Sequence, residues 1–175
     1  MFDVLDEDGK LTGLQKSKEE ILSGRHYRLV THAWVINEKG ELLAQQRASH
    51  KGLWDNLWDV TVGGGVASGE KSRDACVREL KEELSLLVDP KELIFAGRFR
   101  TTKPLPERGI NAYEFSDTFI IKREVEITDL RLRAEEVSAI ELVAVESAGD
   151  NTSRLWVPHP QSYYAGVLQK CSELL

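Results

Sequence analysis

"GGGVASGEKSRDACVRELKEELSLL" runs from Gly63 to Leu87. The spacing predicts a helix over about Ser72 to Ser85, with the Ser72 hydroxyl placed to cap its first turn. At about 100° per residue, Cys76, Val77, Leu80 and Leu84 form one apolar stripe. Glu79, Glu82 and Glu83 fill the arc beside that stripe, while Asp74, Lys81 and Ser85 take the solvent side. Arg78 stands four residues before Glu82, within reach of it. Like charges at this spacing repel by a few tenths of a kcal/mol per pair. Two readings compete: a solvated acidic face, or carboxylates gathered for a divalent cation. The first starts ahead because acidic helix faces are common; bordering the core stripe brings the second level with it, since carboxylates are hard ligands suited to magnesium or manganese. The glycines upstream allow close approach of backbone to a ligand, and a glycine carbonyl can add a ligand.

The rest of the chain frames this segment. Its 175 residues suggest one domain over 1–175 with room for a core. A net charge of −6 disfavours polymeric nucleic acid as a partner, but leaves a small anionic substrate open if a cation bridges it. No apolar run approaches the ~18 residues of a membrane span. The N-terminus does not read as a signal peptide. Cys76 and Cys171 form no C-x-x-C pair and no disulfide framework, which fits a reducing cytoplasm; Cys76 reads as a buried small hydrophobe.

Strands are predicted around the Asp8-Gly9 turn, over "YRLVTHAWVIN", "ELLAQQR", "VTV", "LIFAGRFRTT", "NAYEFSDTFIIK" and "AIELVAV". "SKEEILSG" reads as a short helix, "SYYAGVLQKCSELL" as a terminal one, and "KPLPERG" as a loop. Strands and helices mix without strict alternation, which points to an α/β or α+β sandwich with a mixed sheet.

Gly64, Glu70, Arg78-Glu79-Leu80, Glu82-Glu83 and Leu86 fall at the spacing G-x5-E-x7-R-E-U-x-E-E-x-G-U, and so resemble the Nudix box. The departure is Ser85, where the family has its last glycine. The resemblance implies an α/β/α sandwich around a mixed sheet. It also implies magnesium- or manganese-dependent hydrolysis of a diphosphate linkage in a nucleoside diphosphate derivative. Carried over, Glu82, Glu83 and the Gly64 carbonyl hold metal, and Glu79 is a ligand or the base. Glu70 completes the acidic shell, and Arg78 orients the carboxylates.

The flanks are similar to a Nudix subgroup related to type I isopentenyl-diphosphate isomerase, over most of residues 2 to 122. That enzyme's cysteine and two metal histidines fall at Gly63, Gly65 and near Arg28, while Glu114 matches a catalytic glutamate. The missing cysteine weighs against isomerisation. A non-catalytic nucleotide-binding module is a third reading, disfavoured because the four box carboxylates are retained.

Outside the box, Arg47 and Lys51 are candidate phosphate contacts, and Glu114, Glu135 and Glu136 are candidates for a further carboxylate. Trp54 and Trp58 are read mainly as packing residues. Arg98 and Arg100 share a strand face, directed to solvent or substrate, and the four histidines are read as structural or exposed. A homodimer through the first strands is an expectation of the same kind.

Overall fold

The strand Tyr27–Ile36 (β3) organises the molecule, and its alternation explains why. Ala33 and Val35 point to one apolar cluster, Trp34 and Ile36 to another. Side chains two apart share a sheet face, so β3 is buried on both sides. A computed structural model describes residues 1–49 and 53–175.

β3 lies inside a nine-stranded mixed sheet. One edge of it pairs in parallel with Ile110–Lys122 (β8), from Tyr27 opposite Tyr113 to Ile36 opposite Lys122. The other edge meets three strands in turn, all antiparallel: Phe2–Leu5 (β1), Val62–Gly65 (β6) and Glu41–Arg47 (β4). Leu11–Lys16 (β2) pairs with β1, Trp58–Asp59 (β5) and Val137–Ala144 (β9) with β4, and Ile94–Leu105 (β7) with β8.

Two of the helices cover the two faces. Ser72–Leu84 (α2) brings Cys76, Leu80 and Leu84 against Ala33 and Val35, while Gln161–Leu174 (α3) brings Tyr163, Val167 and Cys171 against Trp34 and Ile36. This is the α/β/α sandwich expected from the sequence. The short helix Lys18–Ser23 (α1) is closed by a capping box between Ser17 and Glu20. Both cysteines are buried, and burial pushes the Cys76 thiol up to about 12. Among the described residues no helix is long and apolar enough to cross a membrane.

Two local expectations need correction. The residue capping α2 is Lys71, whose side chain makes no capping bond; Ser72 is already helical, and its hydroxyl donates to Asp117 Oδ2 at 2.6 Å. A carboxylate is the stronger acceptor, and it draws the hydroxyl away from the helix end. Second, Lys103, Pro104 and Leu105 belong to β7 and not to a loop. Proline is tolerated there because β7 pairs with β8 alone and leaves an edge without a partner. Arg98 and Arg100 lie on the solvent side of β7, one of the two alternatives expected, and are bound there to Asp117 and to the Tyr27 hydroxyl.

Candidate active site

The α2 stripe fixes where its carboxylates stand. With Leu80 and Leu84 fully buried, Glu83 is carried inward and is buried too. Glu79 lies against Gly64, where a Cβ would overlap its carboxylate. Only glycine therefore allows β6 and α2 to approach this closely. The helix ends at Ser85, in the left-handed conformation with φ 55°, and its amide reaches Leu80 O and Lys81 O. The chain here adopts the turn that glycine would take without strain.

Arg78 gathers the outer carboxylates. It reaches Glu70 at 3.0 Å, Glu79 at 2.7 Å, Glu82 at 3.5 Å and the Gly65 carbonyl at 3.2 Å. The Arg78 hydrogen bond holds the Glu70 carboxyl below its ordinary range. Glu79 moves the other way, since burial raises it by more than Arg78 lowers it.

Glu79, Glu83 and Gly64 line a cavity of about 220 Å³, as does Glu136 from the segment before β9. Glu82 is half-exposed on the Arg78 side, and Glu135 is exposed. Among the described residues no three acidic, histidine or cysteine side chains already converge closely enough to hold an ion. The donor set nevertheless fits one: hard carboxylate oxygens, grouped on one helix, with Glu79 packed against the Gly64 backbone.

The same cavity is also lined by cations. Arg28, Arg47 and Lys103 line it with Glu114. Glu114 Oε1 accepts from Arg28 at 2.7 Å, and Oε2 meets Lys103 Nζ at 2.7 Å. Burial alone would raise this carboxyl, but Lys103 and Arg28 override it and keep Glu114 ionised. Two buried cations thus share one anion. Arg47 donates to Leu53 O and pairs with Asp59 at 3.4 Å, and Asp59 also takes a hydrogen bond from His159 Nε2 at 2.9 Å.

Trp54 lines the same cavity. Its ring stands 4.9 Å from Lys103 Nζ and its indole N–H donates to Pro104 O. It has φ 54°, a left-handed value uncommon for a bulky residue. Trp58 packs against the α3 cluster beneath Arg154.

The structure therefore brings Glu79, Glu83, Gly64, Arg47 and Glu114 into one cavity, and holds Glu70 and Glu82 beside it through Arg78. Lys51 lies outside the described residues. Sequence reasoning missed Lys103, assigned to a loop, and His32, read as structural or exposed although it lines the cavity. Continued alternation through "RTTKPL" was a signal for the first.

The comparisons bear on this arrangement. A family model described as the NUDIX domain matches residues 26–165. The chain is 36% identical over 147 residues to an uncharacterized Nudix hydrolase of Listeria innocua, covering 83% of this chain and 80% of that one. It is 32% identical over 117 residues to an isopentenyl-diphosphate Delta-isomerase of Shigella flexneri, covering 66% and 63%. In fold it is similar to the crystal structure of a Deinococcus radiodurans protein, with TM-score 0.67, 21% identity and coverage of 97% and 98%. It is also similar to the NUDIX domain of Shewanella oneidensis NrtR, solved with ADP ribose, with TM-score 0.59, 14% identity and coverage of 81% and 86%.

Proposed function

The chain belongs to the NUDIX domain family and is a hydrolase acting on pyrophosphate bonds; from that premise we propose that it cleaves the diphosphate linkage of a nucleoside diphosphate derivative, with magnesium or manganese. The observation that carries this reading is that one cavity is lined both by carboxylates beside a glycine backbone, Glu79 and Glu83 with Gly64, and by the cations Arg28, Arg47 and Lys103. A diphosphate is the ligand that needs both a cation held by carboxylates and fixed positive charge beyond it.

In this reading Glu79, Glu82, Glu83 and the Gly64 carbonyl hold the ion. When bound, it would polarise phosphoryl oxygens and lower the pKa of water. Arg78 and Glu70 keep the carboxylates in place before substrate arrives. Glu79, whose carboxyl burial pushes upward, takes the proton of the attacking water on a carboxylate oxygen. Arg28 and Lys103, with Arg47, bind phosphoryl oxygens, and Glu114 positions the first two. ADP ribose, bound by the Shewanella domain, belongs to the same substrate class.

Isomerisation is the rival. It requires a group that protonates an alkene, and Glu114 is a poor one, since both of its oxygens are engaged by cations that keep it ionised. The test is a panel of nucleotide diphosphate derivatives plus isopentenyl diphosphate, with magnesium, manganese or excess chelator. Metal-dependent release of phosphorylated products is expected, with none in chelator. Turnover undiminished by chelator, or dimethylallyl diphosphate formed at enzyme-like rates, would overturn the reading.

A further inference from the structure

Arg28, Val30 and His32 occupy one face of β3 and line the cavity in series. His32 is only 4% exposed, and its ring is fixed from behind. Its Nδ1 lies 3.1 Å from the Tyr163 hydroxyl, and its ring meets those of His159 and Tyr163 edge to face. The opposite edge of the ring, Cδ2 and Nε2, faces Gly63. A Cβ on Gly63 would stand 3.2 Å from Cδ2 and 3.6 Å from Nε2. Among the described residues, Nε2 makes no hydrogen bond.

The proton can be placed by counting donors. The Tyr163 hydroxyl carries one proton and accepts at two positions. Trp34 Nε1–H, which can only donate, occupies one acceptor position at 3.0 Å. Thr118 Oγ1 also lies near this hydroxyl but makes no hydrogen bond of normal geometry, whereas His32 Nδ1 stands within bonding distance at 3.1 Å. The hydroxyl proton therefore goes to His32 Nδ1, and the ring's own proton sits on Nε2, the edge that opens past Gly63. An N–H that faces the cavity with no acceptor from the described protein residues is free to donate to a ligand.

We propose that His32 Nε2–H is a substrate-binding donor, which reaches an anionic phosphoryl oxygen through the gap left by the absent side chain of Gly63. This rests on the reading of the cavity as a diphosphate site. Burial pushes the imidazole pKa well below its usual value, helped by His159 and Lys103, so the ring is neutral. It donates without adding charge to a cavity that already holds Arg28 and Lys103.

The test is nitrogen-15 NMR of the histidine rings, read in the free protein and with inorganic pyrophosphate and magnesium. The Nε2–H tautomer of His32 is expected, with a shift of that proton when pyrophosphate binds. Gly63→Ala, whose Cβ would press on the ring at 3.2 Å, should leave the tautomer unchanged, abolish the shift, and weaken pyrophosphate binding by about tenfold or more. His32→Gln, which can present a donor in the same direction, should bind more tightly than His32→Leu. An Nδ1–H tautomer would overturn the proposal. So would pyrophosphate binding that moves the Gly64 and Glu79 amides and leaves His32 unchanged, with the diphosphate reading intact. No perturbation anywhere in the cavity would sink both.

Discussion

Two charged clusters line the same cavity and are built in opposite ways. On α2, one arginine serves three carboxylates; all four residues lie between Glu70 and Glu82 and are partly exposed. On the sheet, one carboxylate serves two cations, Arg28, Lys103 and Glu114 come from β3, β7 and β8, and all are buried. Burial raises the carboxyl of Glu79, while paired cations depress that of Glu114. The first cluster is poised to change its partners, because excess acid on a half-exposed helix costs little to rearrange. The second is held closed, because removing one member of a buried pair leaves a charge in a poorly solvating place. Chemistry is therefore expected from the first and substrate positioning with stability from the second.

The sharpest way to break this contrast is Glu79→Gln. Turnover with saturating metal is expected to fall by about 10²–10⁴-fold, measured as kcat on the best substrate of the panel. Unchanged kcat would move the base elsewhere.

Glu114→Ala strikes the other cluster. It should lower the unfolding free energy at pH 7 by about 3–5 kcal/mol, since Arg28 and Lys103 lose their shared anion. The pH dependence gives a second check. A carboxylate depressed in the fold contributes stability above its unfolded pKa of about 4.3 and loses it as pH falls through the lower folded value. The gap between variant and parent should thus be level from pH 7 to about 5 and narrow only in strong acid. A gap that widened on acidification would contradict the pairing.

Lys103→Met is gentler, since Glu114 retains Arg28. KM is expected to rise about 10–100-fold while kcat changes little, the pattern of lost uniform binding. A fall in kcat at constant KM would place Lys103 in the chemistry.

The smallest effect is again at Glu79. Its raised carboxyl means that the native state favours the proton, so the ionised form is the destabilising one. In chelator, Glu79→Gln should be neutral or stabilising by up to ~1 kcal/mol. The gain should appear as pH rises through the folded pKa and vanish below the unfolded one. A clear loss in the urea midpoint would mark Glu79 as a structural residue.

The same contrast explains what could be read in advance. The acidic cluster lies within one helix, so periodicity alone set Cys76, Leu80 and Leu84 against the core and the glutamates beside them. The basic cluster depends on the register of Arg28 with Glu114, 86 residues apart, which no local pattern encodes. Lys103 was hidden by Pro104, a residue that argues against strand until its strand is known to lie at an edge. His32 was unreadable because alternation on β3 shows that two faces exist but not which one borders a cavity. Ser72 misled because a remote carboxylate, Asp117, drew off the hydroxyl.

The parallel pairing of β3 with β8 has a consequence for how the chain is made. Translation delivers ~5–20 residues per second, so β8 follows β3 from the ribosome by roughly 4–17 s. For that interval one edge of a strand that is apolar on both faces has no partner, and such edges recruit other chains. A nascent chain stalled before residue 110 is therefore expected to be protease-sensitive and chaperone-bound, unlike the finished protein. Equal protection of the two would show that β3 finds another neighbour first.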